Sequence, residues 1–175
     1  MLIGHSSSNS ESDASRRAGA ARERHESARA RRDLARWQAR LASLDLSQWQ
    51  FLPRDDQRAY LRLPSAAGCE TWLIRWPPGS RAALHDHGEA SAVAVVLRGE
   101  LRERAFLHGE CFERLWQTQL PIELPKHVRH AVWNESAEDA YSVHVYAPQL
   151  TSMTFYEHLA DGSLKAIRSE GAEQW

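Results

Sequence analysis

After Pro53 the chain breaks into short runs rich in β-branched and aromatic residues, and this texture constrains the fold more than any other feature. RAYLRL (58–63), TWLIRW (71–76), SAVAVVL (91–97), LRERAFL (101–107), CFERLWQ (111–117), HAVW (130–133), AYSVHVY (140–146), SMTFYEHL (152–159) and LKAIRS (164–169) each have the length and residue types of a strand. Turn-forming clusters separate them: AAG, PPGS, LRGE, HGE, NESAED and ADGS. No helical run interrupts the series. Many short strands at regular spacing predict an all-β domain over residues 54–175, an antiparallel sandwich or small barrel.

The N-terminal third reads differently. Residues 1–25 are polar and small, cannot bury enough apolar surface to order themselves, and are expected to be a disordered tail. From Glu26, residues Ala30, Leu34, Trp37, Leu41 and Leu44 recur at spacings of three and four, the mark of an amphipathic helix. A second short helix, capped by Asp45 or Ser47, ends at Pro53. The expectation is that residues 26–53 are N-terminal helices packing on the barrel. Arg29, Arg31, Arg32, Arg36 and Arg40 decorate the wet side of the first helix, and a solvated face is the simplest account of them.

Bulk properties narrow the function. A formal net charge of −1 over 175 residues carries no overall signature of nucleic-acid binding. No apolar run is long enough to span a bilayer, and the N-terminus lacks the apolar stretch of a secretory signal. Two cysteines, Cys69 and Cys111, imply no disulfide framework. A soluble, cytoplasmic, monomeric protein with no nucleic-acid or membrane partner is expected.

Nine histidines are the chemical feature. In a strand, residues two apart share a face, so His85 and His87 point one way and Asp86 the other. Likewise His130, Val132 and Asn134 share a face, as do Ser142, His144 and Tyr146. If the polar loop NESAED closes a hairpin with Asn134 opposite Ala140, then His130 lies across from His144, about 5 Å apart at Cβ. Four imidazoles then converge inside the barrel. Buried polar groups are costly unless paired or metal-bound, and neutral imidazole is a common ligand of Zn, Cu, Fe and Ni. His85, His87 and His130 form the expected metal set, with His144 facing the metal's neighbourhood or the substrate. His127 has the wrong parity, His108 lies in a hairpin and His158 has no convergent partner. Cys111 is expected to be a small buried residue.

HDHG and VLRGEL, the later HAVWN, and SVHVYAP, taken in that order with YLR upstream, resemble the cysteine dioxygenase family from about Tyr60 to about Tyr156. The resemblance implies a cupin, a jelly-roll β-barrel holding one mononuclear Fe(II). It implies that His85, His87 and His130 are the iron ligands. Ser142, His144 and Tyr146 match the family's S-x-H-x-Y triplet, a hydrogen-bonded relay ending at a tyrosine hydroxyl near the iron. Tyr60 and Arg62 match its Y-x-R, whose arginine binds the substrate carboxylate, and Trp76 matches a tryptophan on the strand leading to the ligands. Animal members carry a cysteine that crosslinks to the relay tyrosine. Here that position is Ala92, so no cysteine–tyrosine crosslink to Tyr146 is expected.

The implied reaction adds both atoms of O2 to the sulfur of L-cysteine, giving cysteine sulfinate. Three neutral imidazoles leave the metal site one charge more positive than a set with one carboxylate, which favours an anionic thiolate. Arg62 offers a planar fork suited to a carboxylate. Two other readings stand beside this one: a dioxygenase of another small thiol acid such as 3-mercaptopropionate, and a cupin that binds metal without turnover.

Overall fold

The computed structural model describes Leu52, residues 55–65 and residues 68–171, all within the compact unit Leu44–Trp175. The expected tail over residues 1–25 lies outside the described residues, as do the expected helices over residues 26–53 apart from Leu52. Among the described residues there are eleven strands and no helix, and no helix is long and apolar enough to cross a membrane.

The strands are β1 (Ala59–Leu63), β2 (Glu70–Trp76), β3 (Arg81–His85), β4 (Ser91–Arg98), β5 (Leu101–Leu107), β6 (Glu110–Trp116), β7 (Pro121–Leu124), β8 (Arg129–Trp133), β9 (Ala140–Ala147), β10 (Ser152–His158) and β11 (Leu164–Gly171). They form two sheets, of order β1-β2-β9-β4-β7 and β11-β10-β3-β8-β5-β6, with every pairing between strands antiparallel. This is the cupin barrel. All nine runs singled out in the sequence are strands. The two others, β3 and β7, are RAALH and PIEL, which lack the β-branched and aromatic density that marks the rest.

The inner faces of both sheets make one core. Trp76, Ala82, Ala92, Ala94, Leu101, Ala105, Trp116, Leu124 and Val132 belong to it and are all buried. The alanines leave space between the tryptophans. β4 and β9 lie inside their sheet and are buried on both faces, so they read as unbroken apolar runs rather than alternating ones. In the LRGE turn, Gly99 takes φ of 75°, and a Cβ there would meet the Ala140 Cα at 3.0 Å. The turn therefore tolerates only glycine without displacing the start of β9.

The hairpin expected around NESAED does not form. β8 pairs with β3 and β5, whereas β9 pairs with β2 and β4, so the two strands lie in different sheets. The reason is Asn134. Its backbone N–H donates to the Ser80 carbonyl at 3.0 Å, and its carbonyl accepts from Gly79 N–H at 2.9 Å, which ties the end of β8 to the β2–β3 turn. Its side-chain amide donates to the carbonyls of Trp76 at 2.8 Å and Glu138 at 2.7 Å, and its side-chain oxygen accepts from Ser136. The backbone and the buried side chain of one residue thus both tie down the crossing between sheets.

Asn134→Ala strands several of these buried groups and should cost about 2–3 kcal/mol. The expected result is a lower urea midpoint with an unchanged m-value. A midpoint equal to that of the wild type would show that the crossing is held elsewhere.

Candidate metal centre

The H-D-H-G segment is built to aim two imidazoles. Asp86 points away from the barrel interior and acts as a clasp. Its Oδ1 accepts from Gly88 N–H at 3.0 Å and Thr154 N–H at 3.2 Å, and its Oδ2 accepts from the Tyr156 hydroxyl at 2.6 Å. Gly88 has φ of 55°, and a Cβ there would lie 2.6 Å from Ser152 Oγ and 3.2 Å from the Ser152 carbonyl oxygen. Only glycine lets β10 close over the turn.

His85 ends β3 and lies directly across from His130 on β8. His87 follows two residues later. The three rings pack with centroids 4.7 to 5.0 Å apart. One nitrogen from each lies within 4.8 Å of the other two. All three residues are buried. His85 Nδ1–H donates to the Ala83 carbonyl at 2.7 Å. His130 Nδ1–H donates to Glu103 at 2.6 Å. In both cases Nε2 is left as the lone-pair atom. His130 Nε2 and His87 Nε2 stand 3.3 Å apart. Two nitrogens each about 2.1 Å from a shared ion, at an angle a little over a right angle, fall at about that separation. His87 Nδ1 has no hydrogen-bond partner among the described residues. A cation among the three rings gives the close nitrogen pair a favourable role. The residues fit a mononuclear metal.

Electrostatics agree. Burial pushes His85 down to about 3, helped by the neighbouring His130, and pushes His87 well below the ordinary imidazole range. Metal ligation requires neutral imidazole, and the interior supplies it.

β9 faces this cluster from the other sheet. Trp76 Nε1–H donates to Ser142 Oγ at 2.8 Å, and Ser142 Oγ lies 2.9 Å from His144 Nε2. A Ser142 hydroxyl that accepts from Trp76 places its own proton on His144 Nε2. His144 then carries its hydrogen on Nδ1, which has no partner among the described residues. Burial holds His144 neutral down to about 3. Tyr146 stacks on His144, with centroids 6.2 Å apart and planes at 18°, and meets His87 edge-on at 5.0 Å. The first half of the expected relay is therefore a hydrogen bond and the second half a ring stack. Burial, then the nearby Tyr60 and Glu70, raise the Tyr146 hydroxyl, which keeps its proton. Ala92 lies across from Tyr146 in the β4–β9 register.

A cavity of about 480 Å³ opens on these groups, lined among others by Arg58, Tyr60, Trp76, Arg81, Met153 and Arg168. Tyr60 lines it. Arg62 does not: its Nε lies 3.3 Å from Glu70 and its side chain is 58% exposed. The arginine that reaches the cavity from β1's approach is Arg58, stacked over the rings of Tyr60 at 5.4 Å and Trp76 at 5.2 Å. Alternation shows that residues 58, 60 and 62 share a face, but only contact geometry separates the two arginines. His127 and His108 are turn residues outside the cluster, with φ of 66° and 52°. His158 lies beside Phe106, away from the cavity. Cys111 is exposed, not buried, because β6 is an edge strand. Sequence reasoning missed Glu103, whose signal was a charged residue at an inward position of LRERAFL.

A β-barrel with three convergent buried imidazoles facing a partly apolar cavity defines the protein as a cupin with a candidate mononuclear metal centre. The chain matches cysteine dioxygenase type I over residues 38–159. It belongs to that family. Solved structures share its fold. One of oxalate oxidase, concerned with structural and spectroscopic insights into its mechanism, aligns with a TM-score of 0.52 and 18% identity over 58% of this chain and 56% of its own. TT1209 from Thermus thermophilus aligns with a TM-score of 0.51 and 24% identity over 61% of this chain and 99% of its own. The chain thus spans little more than half of the oxalate oxidase chain.

Two outcomes are expected. His85→Ala should abolish stoichiometric binding of a divalent metal in isothermal titration while leaving the far-ultraviolet spectrum of the barrel unchanged. In the metal-free protein, His144 takes up a proton near 6.5 when unfolded but only near 3 when folded. The unfolded state binds more protons across that window, so stability falls as pH falls through it. His144→Gln should make the acid-side drop in urea midpoint smaller; a drop as large as that of the wild type would contradict this account.

Proposed function

We propose that this protein is an iron-dependent thiol dioxygenase that adds both atoms of O2 to the sulfur of L-cysteine, yielding cysteine sulfinate. The observation that carries the reading is the convergence of His85, His87 and His130 on one point in a chain of the cysteine dioxygenase type I family. When bound, ferrous iron supplies the positive charge that favours a thiolate and the one-electron chemistry that dioxygen requires. A set of three neutral imidazoles leaves that charge uncancelled.

The protein's own residues bind and orient. Arg58, Arg81 and Arg168 line the cavity, and Glu170, the one carboxylate among its described lining residues, is paired with Arg168 at 2.9 Å. That balance favours an anionic substrate. We assign the carboxylate clamp to Arg58, whose guanidinium is held by two aromatic faces. Arg62 is drawn off by Glu70 and does not line the cavity. Fixing the carboxylate at one end places the sulfur at the imidazole cluster, which is catalysis by positioning. Tyr146, holding its proton, is a hydrogen-bond donor to the reacting group. His144 is a second donor through Nδ1. The buried rings of Trp76 and Trp116 exclude water behind them.

The scarcity of carboxylates along the described cavity wall, which leaves little to receive an ammonium group, supports 3-mercaptopropionate as a second reading. Oxygen uptake by the iron-loaded protein separates the two: cysteine should be turned over with the larger kcat/KM. A metal-loaded protein that consumes no oxygen with either thiol is a binding cupin. Arg58→Ala should lower kcat/KM by about 10–100-fold, mainly through KM, because a charge-assisted contact is worth about 1.5–3 kcal/mol. Arg62→Ala should change it by much less. The reverse ranking would return the clamp to Arg62.

A further inference from the structure

Glu103 is the deepest charge among the described residues. It sits on β5 with a side chain 0% exposed. A buried carboxylate costs several kcal/mol unless it is fully compensated, and an apolar residue would fill the same space without that cost. The two oxygens have separate tasks. Oε1 accepts from His130 Nδ1–H at 2.6 Å. Oε2 accepts from Trp116 Nε1–H at 2.9 Å and pairs closely with the Arg114 guanidinium. Arg114 comes from the edge strand β6, is one-third exposed, and also donates to the Glu123 carbonyl at 3.2 Å.

The three imidazoles are therefore unequal. His130 is backed by a full negative charge, His85 by a neutral backbone carbonyl, and His87 Nδ1 by no partner among the described residues. A charge behind the ring raises the basicity of the ligating nitrogen and fixes its tautomer.

Resting on the assignment of His85, His87 and His130 as metal ligands, we infer that Glu103 and Arg114 form an opposed pair that sets the electron richness of the metal centre through His130. Glu103 orients His130 and makes it the strongest donor of the three. Arg114, by drawing on the other oxygen, limits how much negative charge reaches the imidazole. Both are positioning residues, since neither lines the cavity. A purely structural pair would behave differently: loss of either member would destabilise the fold in the same direction.

The test uses ferrous ion as the probe, loaded anaerobically into the wild type, Glu103→Gln and Arg114→Gln. It reads the ferrous dissociation constant by chelator competition and the ferric/ferrous midpoint by spectroelectrochemical titration. Glu103→Gln removes the charge and should weaken iron binding by about 10–100-fold and raise the midpoint. Arg114→Gln leaves the carboxylate unopposed and should bind iron at least as tightly with a lower midpoint. In the first variant the new amide N–H groups face Trp116 and Arg114, so if that variant fails to fold, Arg114→Gln decides alone: its midpoint must fall. Shifts in the same direction, or an unmoved midpoint in Arg114→Gln, overturn the pairing but leave the metal centre intact. A wild type that binds no iron overturns the metal centre and the pairing together.

Discussion

The cluster of imidazoles taken out of water is the constraint on which the rest of the structure depends. His85, His87, His130 and His144 are all buried in one barrel, and burial keeps His85, His87 and His144 neutral there. A nitrogen without a partner in such a place is expensive. The protein answers with a carbonyl for His85, a carboxylate for His130, a hydroxyl for His144, and a convergence of nitrogens suited to a shared cation. The alanines at 82, 92, 94 and 105 give these rings room, and Trp76 and Trp116 back them. Packing and chemistry are thus one problem here. The same tryptophans that fill the core donate the hydrogen bonds that fix Ser142 and Glu103.

Support for the site comes from outside the core as well. Asp86 belongs to none of the converging groups, yet it binds the turn between two of the histidines to β10. Asn134, four residues after His130, locks that strand into one sheet while the next strand crosses to the other. The two halves of the centre therefore reach each other because a buried amide prevents an ordinary hairpin.

The strand texture and the alternation of histidines were legible in the sequence because both depend on local periods. Nine strands and the shared face of His85 and His87 follow from them, whereas the hairpin expected to place His130 does not form, and His130 meets His85 across a different pair of strands. What could not be read is what depends on partners distant in the chain. The polar loop 134–139 looks the same whether it closes a hairpin or crosses between sheets. Strand β3 carries small residues because its inner face must leave space, which removes the usual signal. Arg58 and Arg62 share a face and differ only in that Glu70, opposite Tyr146 in register, takes one of them away. Cys111 looked like a core residue until its strand proved to be an edge. Glu103 shows the converse: a charge at an inward position is a contradiction in the local pattern, and it marks a contact with one of the converging imidazoles.

The rings of His87 and Tyr146 meet at nearly a right angle. Ala92 places a methyl group across from Tyr146, and the rings of His87 and His144 pack against the phenol. One of those neighbours is also a member of the converging cluster. Whatever fixes the orientation of that imidazole also narrows the arc through which the hydroxyl can swing. On the proposed reading, the ring that would hold the metal and the hydroxyl that would donate are thereby oriented together.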